Sequence, residues 1–202
     1  SKRLYQLMTP RKSCTGLFGG SFNPIHNGHL AIARAMLAQG VVDEVMIMVS
    51  PQNPLKSRGT LLDERTRYNL AALACEEEEC IHASDFEFSL PRPSYTWHTL
   101  EALKNSFPEK TFKLLIGADN WQLFPRWYRA GDILDNYAVA VYPRPGYDID
   151  ASSLPANAEY VDMPLLHVSS TEIRQRIKEG KDVSALLPPK VYDQIKSLGL
   201  YA

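Results

Sequence analysis

Apolar residues are distributed along this chain in two alternating patterns. Short runs without polar alternation and rich in β-branched residues occur at Val45 to Val49, Leu114 to Ile116 and Ala138 to Val141, and read as strands buried on both faces. A fourth run, about Ser13 to Phe18, leads straight into Gly19 and Gly20 and predicts the first strand. Between these runs lie segments of helical period: His29 to Gln39 ending at Gly40, Asp63 to about Glu78, Thr96 to Phe107 stopped by Pro108, and Thr171 to Glu179 ending at Gly180. Ser169, Ser170, Thr171, Glu172 reads as a capping box with Ser169 as N-cap. A last helix is predicted from about Pro189 to Ser197, with proline in its first turn.

Strands alternating with helices through right-handed crossovers predict an α/β fold, a Rossmann-like doubly wound parallel sheet, with ligands in the crevice at the carboxyl ends of the strands. A chain of 202 residues buries roughly 70% of its unfolded surface, enough for a core without disulfide or metal staples, and a single domain is expected over residues 1–202. No repeat, low-complexity tract or linker interrupts it. The turn-rich stretch Pro143 to Pro155 is too short to separate a second core from the first, and residues 1–12 read as an N-terminal extension before the first strand.

Charge then narrows the partners. Lysine plus arginine number 22 and aspartate plus glutamate 23, balanced in both halves, so no basic field invites nucleic acid or an anionic membrane. Any polyanion must meet a local device, which points to a pocket. Three cysteines, Cys14, Cys75 and Cys80, offer neither a disulfide framework nor zinc spacing, and a reducing, cytoplasmic setting is expected. Residues 13–33 carry no Asp, Glu, Lys or Arg, yet Asn23, Pro24, His26, Asn27 and His29 exclude a membrane span there, and no other segment reads as one. Glu76 to Glu79 reads as a solvated face at a helix end.

The chemistry concentrates in GLFGGSFNPIHNGHL, Gly16 to Leu30. Neither the dinucleotide G-x-G-x-x-G nor the P-loop spacing is present. Gly19 and Gly20 nevertheless let backbone amides approach an anion, and the helix that follows points its N-terminus at the same place. His26 and His29, three apart, share a face if both lie in the first helical turn, and can donate two hydrogen bonds to one phosphoryl group while adding positive charge as the transition state becomes more anionic. A single histidine here would read as structural; the pair after a glycine turn favours phosphate. Zinc lacks third and fourth ligands nearby.

These residues carry a resemblance. The H-x-G-H core at His26, Gly28 and His29, together with VSSTEIR at Val168 to Arg174, closely resembles the nucleotidyltransferase superfamily typified by nicotinate-nucleotide adenylyltransferase. RPSYTWHTL at Arg92 to Leu100 and LIGADNWQLFPRWYR at Leu115 to Arg129 look like the bacterial nicotinate mononucleotide enzymes, so the likeness runs in order from about Thr15 to Leu200. It implies a reaction of ATP with nicotinate mononucleotide that gives nicotinate adenine dinucleotide and pyrophosphate, in the route to NAD. The incoming phosphate is already a nucleophile, which agrees with the absence of any nucleophile–base pair.

By that resemblance His26 and His29 meet the ATP phosphates beside the amides of Gly20, Ser21 and Phe22 and the turn at Gly19. Ser170, Thr171 and Arg174 hold the departing pyrophosphate. Gly117 ends a strand and Asp119 takes the adenosine ribose, the alternative being a helix cap. Trp127 stacks on the pyridine, whereas Trp121 and Phe124 read as core. Tyr95 and Thr96 meet the nicotinate carboxylate, or else Ser94 or Thr96 caps a helix. Where the family often has P-P-H and a base, this chain has Asn53, Pro54, Leu55, Lys56, which keeps a cation for the mononucleotide phosphate and loses the histidine. Mg2+ is expected to ride on the triphosphate and water. The pantetheine-phosphate adenylyltransferases, and a catalytically silent nucleotide-binding module on the same fold, are the alternatives.

Overall fold

The computed structural model describes residues 11–202 apart from Lys56; residues 1–10, most of the expected extension, lie outside the described residues. The described residues form six strands, β1 (Ser13–Gly20), β2 (Glu44–Val49), β3 (Ile81–Ser84), β4 (Lys110–Gly117), β5 (Ala138–Tyr142) and β6 (Ala158–Tyr160). They make one sheet in the order β3-β2-β1-β4-β5-β6, with every pairing parallel. This is the doubly wound order, and its switch point falls between β1 and β4. The sheet has two more strands than the hydrophobic runs announce. β3 and β6 are edge strands of four and three residues, paired on one side, and only Ile81 among them is buried.

Among the described residues seven α-helices cover the sheet: α1 (Asn27–Ala38), α2 (Glu64–Cys75), α3 (Thr96–Ser106), α4 (Ala118–Leu123), α5 (Ala130–Asn136), α6 (Ser170–Lys178) and α7 (Pro189–Leu198). Successive strand residues face opposite layers. Phe18, Ile47, Leu115 and Ala140 join one core with α1, α2, α6 and α7, while Leu17, Met48, Leu114, Ile116, Val139 and Val141 join the other with α3 to α5. Helix ends follow local chemistry. Asp63 caps α2 by accepting from the Thr66 amide at 2.9 Å, and Gly40 and Gly180 take positive φ after α1 and α6.

Two expectations about these ends change. α2 stops at Cys75, so the Glu76–Glu79 run lies beyond it, where Glu78 pairs with Arg34 and Glu76 and Glu77 with Lys190. At α6 only half of the capping box forms: Ser169 Oγ accepts from the Glu172 amide at 3.1 Å, but the Glu172 carboxylate turns to Arg176 at 2.9 Å. An i,i+4 cation competes successfully for it.

One buried cation ties loops at the carboxyl edge of β1 and β2 together. Arg67 on α2 is fully buried and donates to the carbonyls of Leu62, Ser21 and Ser50 at 2.7 to 2.8 Å. Asn23 works beside it, accepting from the Leu62 amide and the Tyr201 hydroxyl and donating to the Thr60 carbonyl. Arg67→Met would leave three carbonyls without this donor and is expected to lower stability by about 3 kcal/mol, read as a lower urea midpoint at unchanged slope.

Candidate active site

The carboxyl ends of the strands open onto two cavities that share a wall. The first is lined by Gly19, Gly20, Ser21 and Phe22 after β1, His26, Gly28 and His29 at the start of α1, Asp119 and Asn120 after β4, Tyr142 and Arg144 after β5, and Ser170 of α6. The second contains Ser50, Glu87, Ser94, Thr96 and Trp127 over a floor that includes Met48 and Ile116. Gly19, Gly20, Asn120 and Tyr142 line both. With the space open to solvent they enclose about 920 and 710 Å³, the size of small-molecule sites.

His26 and His29 form the start of α1 together. His26 is the cap itself, not a member of the first turn. Its Nδ1 accepts from the Gly28 amide at 3.0 Å, while His29 Nδ1 accepts from the His26 amide at 3.0 Å. The rings stack with centroids 3.7 Å apart, and Phe18 and Phe22 enclose His29 edge-on. An Nδ1 that accepts carries no proton, so each neutral ring bears its hydrogen on Nε2. Two amides at the helix start, those of His26 and Gly28, are thus taken by the imidazoles, and the rings keep Nε2 donors of their own.

In the ligand-free protein those donors are neutral. Burial, then the Arg144 cation, lowers the pKa of His26 to about 4. Burial, the neighbouring His26 and Arg144 hold His29 well below the ordinary value. Gly28 has to be glycine here, since a Cβ would stand 2.8 Å from His26 Cε1 and 2.8 Å from Val168 Cγ1.

Around the histidines the glycine turn has its acceptors engaged, with Gly20 O taking the Ser50 amide and hydroxyl and Ser21 O taking Arg67. This keeps those carbonyls from competing with an anion. Nothing lies within 4 Å of a Cβ built on Gly19, which leaves the shared wall thin. Asp119 lies in the first turn of α4 rather than at its cap, a position held by Gly117. Its buried Oδ1 has no hydrogen-bond partner, and Arg144 Nε stands 3.9 Å away. A Cβ on Gly117 would strike that oxygen at 2.6 Å.

The three residues expected at the pyrophosphate separate. Ser170 reaches the first cavity and donates from Oγ to the Pro24 carbonyl at 2.8 Å. Thr171 and Arg174 line a different recess with Tyr201, and Arg174 donates to the Asn23 carbonyl at 2.8 Å. Arg174 therefore braces the Asn23–Pro24 segment from behind. Trp127 lines the second cavity and contacts Phe124, which is core; Trp121 stacks on Phe124 at 5.3 Å. Thr96 and Ser94 line that cavity, but Tyr95 is the cap of α3, exposed, with its ring against Tyr128 and His98. Leu55 is 80% exposed, and Lys56 lies outside the described residues.

Sequence reasoning missed Arg144, Asn120 and Glu87. Arg144 had a readable sign, a cation between two prolines directly after a buried strand. Asn120 and Glu87 had none, because only the fold brings them to the cavities.

Comparison with known proteins gives the family. The cytidylyltransferase-like family model matches residues 17–176, which span both cavities. A Bacteroides fragilis protein named "Probable nicotinate-nucleotide adenylyltransferase" is 47% identical over 184 residues, 91% of this chain and 92% of that protein, and a Bacteroides thetaiotaomicron protein of the same name is 48% identical over 182 residues, 90% of each. The chain belongs to the nicotinate-nucleotide adenylyltransferase family. Among solved structures, Plasmodium falciparum nicotinic acid mononucleotide adenylyltransferase complexed with NaAD superimposes with a TM-score of 0.79 at 22% identity, covering 94% of this chain and 97% of that one, which establishes the common fold. For a nicotinate-nucleotide adenylyltransferase the paired, neutral histidines are the feature to test. By NMR, His26 should titrate near pH 4 from an Nε2–H tautomer. Because its folded pKa lies below the ordinary 6.5, its contribution to stability is complete above about pH 6.5 and lost as pH falls toward 4. Gly28→Ala is expected to shift that ring and lower turnover by about 10²-fold in a folded protein.

Proposed function

We infer that this chain is an adenylyltransferase joining ATP and nicotinate mononucleotide into nicotinate adenine dinucleotide and pyrophosphate in NAD biosynthesis. The carrying observation is the close likeness, across nine-tenths of the chain, to relatives of that name. The geometry suits it: one cavity has two neutral donors beside a glycine turn, the next has an aromatic wall, and Gly19 and Gly20 separate them. The aromatic wall favours a pyridine over a pantetheine arm.

The mononucleotide phosphate oxygen attacks the α-phosphorus of ATP, a new P–O–P bridge forms, and the bond to the β-phosphate oxygen breaks to release pyrophosphate. We assign His26 and His29 Nε2–H to the oxygens of the reacting phosphorus, where charge accumulates. The turn Gly19, Gly20, Ser21, Phe22 lies beside the phosphates, Ser170 meets the pyrophosphate, and Thr171 and Arg174 support it from behind the Asn23–Pro24 segment. Arg174 keeps one guanidinium nitrogen on the Asn23 carbonyl. Asp119 Oδ1 accepts from a ribose hydroxyl next to Gly117. Trp127 stacks on the pyridine, Thr96 with the Tyr95 backbone meets its carboxylate, and Lys56 meets its phosphate.

Magnesium enters with ATP, held by triphosphate oxygens and water. No group of three or more His, Cys, Asp or Glu side chains is arranged as a metal site among the described residues. We further propose a cytoplasmic setting, which the free thiols Cys14, Cys75 and Cys80 support. No helix among the described residues is long and apolar enough to cross a membrane.

Pyrophosphate release with ATP and a panel of nicotinate, nicotinamide and pantetheine phosphates tests the reading. Nicotinate mononucleotide should win over the amide by about 10²-fold or more in kcat/KM, because donors placed for a carboxylate find no acceptor on an NH₂. Equal use of the amide would remove the carboxylate assignment. His29→Ala should keep the fold and lose about 10²-fold or more in turnover, and Trp127→Ala should raise KM for the mononucleotide and not for ATP.

A further inference from the structure

The second cavity holds a charge that none of these roles uses. Glu87 sits on a 3-10 turn, Phe86–Ser89, just past β3, and lines the cavity beside Ser94, Thr96, Asn120 and Trp127. Thr99 Oγ1 donates to its Oε2 at 2.7 Å. Burial pushes its pKa up, and the Thr99 hydroxyl draws it back. No lysine, arginine or histidine lines this cavity among the described residues. A carboxyl partly withdrawn from water in a cavity that offers neutral polar groups but no countercharge is costly for the free protein, so its partner is to be sought in the ligand.

An aromatic face and one carboxylate, with no basic side chain, is the arrangement that recognises a flat cationic ring. In nicotinate mononucleotide the pyridine nitrogen carries the ribose, so the ring bears a fixed positive charge that no pH removes. We propose that Glu87 is the counter-ion of the substrate's pyridinium ring and fixes the orientation in which that ring enters the cavity. The inference rests on the adenylyltransferase reading above. It has a geometric consequence: the ring's own carboxylate is repelled from Glu87 and needs a neutral donor in the same cavity. The Ser94 Oγ is buried there without a hydrogen-bond partner. Glu87 thereby acts on specificity through charge, whereas Trp127 supplies the face.

The test compares nicotinate mononucleotide with its 1,4-dihydropyridine form, which keeps the substituents and loses the ring charge. kcat/KM for each is measured by pyrophosphate release in wild type, Glu87→Gln and the charge-preserving Glu87→Asp, with ATP KM and thermal melting alongside. Wild type should prefer the charged ring, and Glu87→Gln should shrink that preference about tenfold through KM for the mononucleotide, leaving ATP KM in place. Glu87→Asp should recover most of it. A purely structural Glu87 would lower both substrates equally in Glu87→Gln, and that outcome overturns the proposal. So does a wild-type enzyme indifferent to ring charge, a result that needs no variant to fold. Absence of turnover with any pyridine mononucleotide would instead remove the adenylyltransferase reading and the inference with it.

Discussion

The site depends on a reciprocal hydrogen bond between two imidazoles and the first turn of α1. A helix N-terminus leaves amides without partners, and serine or aspartate ordinarily fills them. Here His26 and His29 do so, each through Nδ1. That single substitution of cap chemistry sets the tautomer, orients both rings and gives each an Nε2 donor held by backbone geometry rather than by a flexible side chain. Preorganised donors need no reorganisation as charge develops, which is where electrostatic catalysis gains. The same cap constrains its neighbours: Gly28 has no room for a methyl group, and Phe18 and Phe22 pack on His29 from the core side.

Neutral histidines leave the attraction for a triphosphate to other groups. Arg144 lines the first cavity with Asp119 only at 3.9 Å, and Arg67 lies under the glycine turn bound to carbonyls, with no ion pair to a carboxylate among the described residues. Both cations leave positive potential near the turn in a chain whose formal net charge is −1. The attraction is therefore local, and it is built from residues that also fix the loops. Burial lowers the Arg67 pKa, yet a guanidinium so far above neutrality stays charged.

Much of this was legible in the sequence, and the exceptions have physical causes. Strands buried on both faces announce themselves as unbroken apolar runs, so β1, β2, β4 and β5 could be read, and with them the doubly wound fold. β3 and β6, short and paired on one side, carry no such run. Local spacing gave the glycine turn and the histidine pair, but not that His26 is a cap, because histidine is an uncommon one. Ser170 and Arg174 lie four apart, one helical turn, and still reach opposite sides of the Asn23–Pro24 segment. Sequence distance along α6 cannot reveal what another loop inserts between them. Glu87 and Asn120 become site residues only through pairing of strands distant in the chain.

Two substrates that must react share a boundary, and its thickness limits the chemistry. An attacking oxygen and a phosphorus have to approach to about 3 to 3.5 Å in line. A side chain on the dividing wall would hold the two cavities farther apart than that. The wall consists of Gly19 and Gly20 on one side and Asn120 and Tyr142 on the other, and Gly19 has open space where a Cβ would stand. The wall occurs at the end of β1 because β1 is the strand at which the sheet's winding reverses, where the connections on its two sides leave in opposite directions and open a crevice. On the proposed assignment of the two cavities, the glycines serve the reaction geometry as much as phosphate binding: the turn is thin where the fold is open.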